Sequence, residues 1–256
     1  MLNLIVATLL LATVFENAVG AREDYDYVVS DGIVSINNYW GSSTKLSIPS
    51  TINGLPVKSI GNQSFVARQN LTSVTIPNSV TFIGNAAFLG CTNLTSITIP
   101  NSVTMIGKVA FSGCTRLTNI IIPKSVTSIE SGLFMSCESL VTISIPDSVT
   151  SIGDSAFAHC GRLTSFTIPN GVRTIDANTF AYCTNLTNVT IPGGVTTIGD
   201  CAFSECTNLS SISIPDSVTS IGFGAFNNCT SLMSITIPIG ASVKGGIPRH
   251  IKVNQK

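Results

Sequence analysis

The chain has 256 residues, of which only 10% are charged, and its 13 basic and 13 acidic side chains cancel. The basic residues are sparse and have no aromatic residues interleaved among them, so the composition argues against a nucleic-acid-binding protein. The sequence contains two histidines but no phosphate-binding loop, no zinc signature and no outstanding carboxylate pair. We therefore predict a protein that is not an enzyme and needs neither a cofactor nor a metal ion.

Residues 1–21 are typical of a secretory signal peptide. Leu2 to Phe15 are apolar except for one asparagine and two threonines, and the small residues Ala18 and Gly20 offer a cleavage site. The apolar run is too short to span a bilayer comfortably, and no second apolar segment follows, so we expect no transmembrane span. A secreted or surface-associated protein is predicted.

Residues 22–42 predict a β-hairpin, because residues 27–36 alternate in polarity around Asp31 and Gly32. We expect this hairpin to cover the first coil of the array that follows it. The segment also holds three of the four tyrosines and the only tryptophan, Trp40. An aromatic binding patch is therefore the alternative interpretation.

Residues 43–240 form an array with a 23-residue period. Eight leucines recur at this spacing without a slip in register: Leu71, Leu94, Leu117, Leu140, Leu163, Leu186, Leu209 and Leu232. A proline follows each leucine by six residues, and a cysteine keeps the same spacing from Cys91 to Cys229. Such a period predicts about nine stacked coils, each of which contacts only its neighbours and buries its apolar side chains against them.

One unit, Leu94 to Arg116, illustrates the predicted coil, with Leu94 as position 1. The alternation of Ile97 to Ile99 predicts a strand that Pro100 ends, and the residues up to Ile106 allow a second extended piece. Ala110, Phe111 and Cys114 have the i, i+1, i+4 spacing of an inward-facing helical or 3₁₀ turn. Position 14, the corner between strand and turn, is usually glycine.

The corner is not glycine in every unit, because Glu130 and Asp176 occupy position 14 in two of them. Since glutamate resists a positive φ, we predict that the corner does not require one.

The periodic cysteines allow three interpretations. Coils about 4.8 Å apart place four cysteines over about 14 Å, too far for sulfurs that must lie about 2.3 Å from one zinc ion. A disulfide fits the Cα spacing, but parallel Cβ vectors do not converge as a bridge requires. We therefore predict a ladder of buried thiols that act as small apolar groups. Cys201 lies outside the ladder and is a candidate reactive thiol, whereas His159 is interpreted as a solvated side chain.

The repeated pattern LxxxxIPxSVxxIGxxAFxxCxx resembles the BspA-like leucine-rich repeat family, found on surface proteins of bacteria and some parasitic protists. The resemblance implies an α/β repeat fold: a leucine-rich-repeat solenoid with short parallel strands on the concave face and short helical or 3₁₀ turns on the other side. It also implies adhesion to host proteins or to other cells.

Positions 3 and 5 of the strands point outward on the predicted concave face and carry mostly hydroxyl and amide groups. Most of these positions are our candidate ligand-binding residues: Ser73, Thr75, Ser96, Thr98, Asn119, Ile121, Thr142, Ser144, Ser165, Thr167, Asn188 and Thr190. Ile121 breaks the polar pattern, and Phe82 and Met105 share a position in adjacent coils, which predicts a second small apolar patch beside it. Exposed apolar groups of this kind favour binding more than hydroxyls do.

Residues 241–256 predict a short C-terminal edge and a loose basic tail, since the repeat fades after Pro238. Charge is uneven along the array, with six basic residues and no acid between Gly32 and Ile129, and eight acids with two arginines between Glu130 and Asp216. This asymmetry favours weak head-to-tail self-association.

The leading hypothesis is a secreted or cell-surface, non-catalytic, adhesin-like protein that binds an extracellular protein or glycan. The alternative is a self-associating structural component of an envelope or matrix.

Overall fold

The computed structural model describes residues 18–22 and 24–256, so the predicted leader over residues 1–21 lies mostly outside the described residues. The described chain begins with three antiparallel strands, β1 (Ala18–Arg22), β2 (Tyr25–Ser30) and β3 (Ile33–Tyr39). Asp31 and Gly32 join β2 to β3, and both have positive φ, as a type I′ turn requires. β3 then pairs in parallel with the first coil of the repeat, which joins the hairpin to the array.

The array is a solenoid of leucine-rich-repeat type with about nine turns. Its strands form two columns that run along the solenoid. The first column, face A, contains positions 3 to 5 of the repeat and comprises β4 (Lys45–Ser47), β7 (Ser73–Thr75), β9 (Ser96–Thr98), β13 (Ser165–Thr167), β15 (Asn188–Thr190), β18 (Ser234–Ile237) and β20 (Lys252–Gln255).

The second column, face B, contains positions 12 and 13 in the regular units. It comprises β6 (Leu55–Ile60), β8 (Phe82–Ile83), β10 (Met105–Ile106), β11 (Ser128–Ile129), β12 (Ser151–Ile152), β14 (Thr174–Ile175), β16 (Thr197–Ile198), β17 (Ser220–Ile221) and β19 (Ser242–Val243). A further strand, β5 (Thr51–Ile52), forms a hairpin with β6 through Asn53 and Gly54. Paired coils are offset by 23 residues, so each position pairs with itself, as Val74 does with Ile97.

A column of phenylalanine rings forms the centre of the solenoid. Position 18 is phenylalanine in the first eight coils, and neighbouring rings stack with centroids 4.9–5.8 Å apart and planes within 5–17° of each other. The rings are Phe65, Phe88, Phe111, Phe134, Phe157, Phe180, Phe203 and Phe226, and all are buried. At the N-terminal end Tyr39 and Tyr25 continue the column, each 5.2 Å from the preceding ring, so the hairpin covers the core of the first coil.

The predicted helical or 3₁₀ turns are wrong: the described residues contain no helix, and positions 14 to 20 form a series of hydrogen-bonded turns. We call this surface the turn face. Amides at positions 16, 18 and 20 donate to carbonyls of the next coil, whereas those at 17, 19 and 21 donate to the carbonyl three residues earlier. In one coil the inter-coil donors are Ala86, Phe88 and Gly90, and the local donors are Ala87, Leu89 and Cys91.

This alternation explains why no helix forms, because a helix must use every successive amide within its own segment. Positions 16 and 20 also have positive φ, which interrupts a right-handed helix twice per coil. Glycine occurs at several of these positions, but other residues adopt the same conformation, among them Val109, Ser136, His159, Tyr182, Cys201 and Glu205. The inward spacing of Phe111 and Cys114 was therefore identified correctly, although the backbone that produces it is not helical.

Close packing favours glycine at the corner, position 14. Its φ is not positive in the regular coils, as predicted. A Cβ added at Gly84 would lie 2.6 Å from the backbone nitrogen of Asn62, and one at Gly153 would lie 2.8 Å from that of Ser131. The amide of Gly84 donates to the carbonyl of Ile60 at 2.8 Å, and this bond recurs at the other corner glycines.

Where position 14 carries a Cβ, the face B ladder is broken. Within residues 24–256, neither Glu130 nor Asp176 donates this hydrogen bond to the preceding coil, and neither β10–β11 nor β12–β14 is a strand pair. The two acidic residues therefore divide face B into three separate sheets.

The periodic cysteines are buried and unbridged, as predicted. Each Sγ donates to the carbonyl of the phenylalanine in the preceding coil at 3.0–3.3 Å, as Cys160 does to Phe134. The thiols are thus hydrogen-bond donors as well as small apolar groups. Burial raises the pKa of Cys91 to about 11 and the pKa values of Cys160 and Cys229 to about 12.

The C-terminal tail is not loose. β20 pairs in parallel with β18 and extends face A by one strand, while Ile251 is buried beneath it. The Nζ of Lys256 lies 2.8 Å from the carboxylate of Asp216, and the Nε2 of His250 lies 3.1 Å from the carbonyl of Cys229. The sequence did not reveal this strand because it lacks the repeat consensus.

Replacing Glu130 by glycine should join β10 to β11 and raise the free energy of unfolding. The change restores a hydrogen bond worth about 1 kcal/mol and lets the two strands pair, and together these gains should exceed the entropic cost of glycine, about 0.5–1 kcal/mol. The matched control is Glu130→Ala, which removes the charge but keeps the Cβ. Urea unfolding should give a more stable protein for Glu130→Gly than for Glu130→Ala, and equal stabilities would contradict the steric explanation.

The free energy of unfolding should fall steeply above pH 9. At pH values between the ordinary thiol pKa of 9.0 and the raised pKa values of the folded protein, the unfolded chain loses thiol protons that the folded chain keeps. Each thiol then removes up to about 1.4 kcal/mol per pH unit. Cys160→Ser keeps a donor that does not titrate, so urea unfolding from pH 8 to pH 10.5 should show a shallower decline for this variant. If the free energy of unfolding fell equally with pH in the wild type and in Cys160→Ser, the Cys160 thiol would have the same pKa in the folded and unfolded states, and the prediction would be wrong.

Candidate binding surface

The candidate residues at positions 3 and 5 lie on face A. Position 4 points inward and is mostly buried, as in Ile97 and Val189, so the residues on either side of it point outward. All twelve candidate residues are exposed except Ser73, which is half-buried. The alternation follows from the period-two geometry of a strand.

The structure brings the candidate residues together in separate groups. Strand pairing places Ser73 beside Ser96 and Thr75 beside Thr98, and in the second half Ser165 beside Asn188 and Thr167 beside Thr190. Between these groups a single bridge joins Ile121 to Ser144. Asn119 and Thr142 belong to the same two coils and lie outside any strand. Face A is therefore not the continuous sheet that the repeat suggested.

Clefts open on face A where neighbouring coils do not pair. A cleft of about 350 Å³ lies between residues 142–147 and 165–170, and one of about 440 Å³ lies between residues 188–191 and 211–213. A third, of about 430 Å³, is lined by Lys124 and residues 144–148. Ile143 and Ile145 are half-buried here, although the equivalent Ile97 and Ile99 are buried. The first cleft thus has apolar side chains below a polar rim.

Phe166, the only aromatic residue at position 4, lines the first cleft. Its ring lies 4.8 Å from both Phe157 and Phe180, against which it packs on edge or tilted. The ring therefore contacts the phenylalanines of both coils that flank the cleft, and β13 is not paired with residues 142–145. Because the peptide groups bordering the cleft lack a ladder there, they are available to a ligand together with the hydroxyls of Ser144, Ser165 and Thr167.

The apolar candidates occupy two different faces. Ile121 is 78% exposed on face A. Phe82 and Met105 pair in register on face B, where Met105 is 53% exposed and Phe82 is half-buried. No strand pairing within the described residues connects that pair to the coil of Ile121.

The sequence interpretation missed an aromatic pair on the turn face. The rings of His159 and Tyr182 stack with centroids 4.4 Å apart and planes 6° apart. Both residues occupy position 20 of adjacent coils, where Gly90 and Gly113 lie in earlier units. Comparing position 20 across successive units would have placed the two rings side by side.

Partial burial raises the pKa of Asp176, and the neighbouring charge of Asp154 raises it further. Among the described residues no group of three or more histidine, cysteine or acidic side chains is close enough to hold a metal ion. The same part of the chain contains no helix of bilayer-spanning length and hydropathy.

Comparison with known families identifies the repeat. A profile described as BspA type leucine rich repeat region matches residues 35–162 and 150–244, with six copies. No sequence among the curated proteins matched the chain.

Solved structures extend this similarity. The leucine-rich repeat protein TpLRR of T. pallidum is 33% identical, with a TM-score of 0.70, over 74% of this chain and 90% of that one. A leucine-rich repeat protein from Bacteroides ovatus is 29% identical, with a TM-score of 0.67, over 92% of this chain and 67% of that one. The pneumococcal vaccine antigen PcpA, 16% identical with a TM-score of 0.54, over 93% of this chain and 85% of that one, shares the fold.

Proposed function

This chain belongs to the BspA-type leucine-rich repeat family, and we propose that it is a secreted or cell-surface, non-catalytic, adhesin-like protein that binds an extracellular protein or glycan through face A. The observation that carries the proposal is the set of clefts on this face. The clefts lie where neighbouring coils lack a strand pair, so the face offers unpaired peptide groups as well as side chains. The apolar leader over residues 1–21 supports export.

The chemistry of face A suits a neutral, hydroxyl-rich or peptide-like ligand. Serine and threonine hydroxyls surround the first cleft, and Asp147 is the only charged residue that lines it. Ile143 and Ile145 contribute an apolar surface that a methyl group or the apolar face of a sugar can cover. Ile121 adds an exposed side chain one coil away, in the manner of the apolar anchors that dominate many interfaces.

The second candidate function is self-association into a structural layer. The two terminal strands of face A, β4 and β20, argue against it. An open strand edge invites pairing with another copy, but Lys45 lies in β4 and Lys252 lies in β20. A head-to-tail ladder would bring these like charges together, and lysine on an edge strand is a common protection against such pairing. Sedimentation at low and high salt tests this candidate, since charge-driven assembly would weaken as salt is added.

The binding site can be tested with two changes on face A. We expect Thr167→Trp, which places a large ring beside the first cleft, and Ile121→Asp, which puts a charge on the apolar anchor, each to weaken binding about tenfold or more. Ligands would be found by screening extracellular-matrix proteins and glycans against the wild-type chain. Affinities would then be measured by surface plasmon resonance.

The matched controls lie on face B or at the residue directly before one of its strands. Thr127→Asp introduces a charge at an exposed position, and Met105→Asp replaces the exposed member of the apolar pair with Phe82. Both should leave the affinity unchanged. A loss of binding for Met105→Asp alone would move the site to face B, and unchanged binding for both face A variants would refute the assignment.

A further inference from the structure

The turn face carries an exposed aromatic residue that the fold does not require. Tyr182 is 46% exposed and has φ of 61°, a conformation that bulky side chains rarely adopt. Glycine fills the same position at Gly90 and Gly113 with no such cost. Core packing therefore does not explain the ring, since its side chain points away from the phenylalanine column.

The ring is held in a fixed position. His159 covers one of its faces, and the amides of His159 and Tyr182 donate to the carbonyls of Ala181 and Ser204 in the next coil, each at 2.8 Å. A side chain that is already ordered loses little conformational entropy on binding, which is why tyrosine is common at the centres of interfaces.

A carboxylate follows the ring at the same position of the next coil. Glu205 occupies position 20 after Tyr182, and its Oε1 accepts a hydrogen bond from the Nδ2 of Asn228 in the coil beyond. The backbone amide of Tyr182 donates to the carbonyl of Ser204, the residue before Glu205, at 2.8 Å, which fixes the register of the two coils. The side chains of Tyr182, Glu205 and Asn228 thus form one row along the turn face, with one side chain per coil and about 4.8 Å between coils.

The surrounding charge selects the kind of partner. Across the turn face of five successive coils, residues 130–136, 153–159, 176–182, 199–205 and 222–228 include five acidic residues and no lysine or arginine. The three preceding turns, residues 61–67, 84–90 and 107–113, contain one lysine and no acid. The exposed ring therefore lies in the negative part of this face, where a cation is attracted to both the ring and the carboxylate.

We propose that Tyr182 and Glu205 form a recognition site on the turn face for an arginine side chain of a partner protein. A guanidinium group can stack on tyrosine while its N–H groups donate to a carboxylate, a combination that lysine satisfies less well. This site is separate from face A, so it does not depend on the function proposed for the clefts.

A short peptide, Gly-Arg-Gly-Arg-Gly with blocked ends, is the probe, and its citrulline counterpart is the uncharged control of equal shape. Titrations followed by NMR of the His159 and Tyr182 side chains at low salt should show saturable binding of the arginine peptide, about tenfold tighter than the citrulline peptide. Equal affinities, or no saturable binding of the arginine peptide, would overturn the proposal. So would a neutral glycan that perturbs Tyr182 when the arginine peptide does not.

Glycine substitutions separate binding from folding, because position 20 accepts glycine without strain. Tyr182→Gly should weaken peptide binding about tenfold, with melting temperature unchanged or raised, and Glu205→Gln should weaken it about fivefold. Ser136→Gly makes the same backbone change at position 20 of an earlier coil and should leave the affinity unchanged. Wild-type affinity in Tyr182→Gly would show that the peptide binds elsewhere.

Discussion

The structure depends on the way in which backbone hydrogen bonds are divided on the turn face. Alternate amides close local turns, and the amides between them reach the next coil, so each of the first eight coils is tied to the adjacent one among them at three successive points. This division fixes the offset between coils at 23 residues. The stacked phenylalanines and the thiol-to-carbonyl bonds repeat at the same offset and reinforce it. Because these interactions are largely internal, the outward side chains vary freely.

Departures from the consensus therefore show where the regular stacking is modified. Phe166 at position 4 lines a cleft of face A, and Glu130 and Asp176 at position 14 lie where face B is interrupted. At all three places strand pairing is missing locally, while the hydrogen bonds of the turn face remain. Such changes are tolerated because the remaining hydrogen bonds between the same coils keep the register.

Sequence reasoning found the strands, the buried thiols and the corner because these follow from residue type at a fixed spacing. It failed where the backbone had more than one way to present the same pattern. The spacing of Ala110, Phe111 and Cys114 suits a helical turn, but the positive φ of Val109 and Gly113 cannot be read from apolar periodicity. The clefts depend on which coils pair, and the contact between His159 and Tyr182 joins residues 23 apart at variable positions.

The near-parallel stacking of the phenylalanine rings has a consequence for how such a chain can evolve. Each coil makes almost the same contacts with the coil before it and the coil after it. If one whole unit were lost or duplicated, the phenylalanine stacking and the thiol-to-carbonyl hydrogen bonds would therefore form again between the new neighbours. The outer surface would respond differently, because the side chains brought side by side would no longer be the original pair. Unequal recombination between units can therefore generate new outward combinations while conserving the interior.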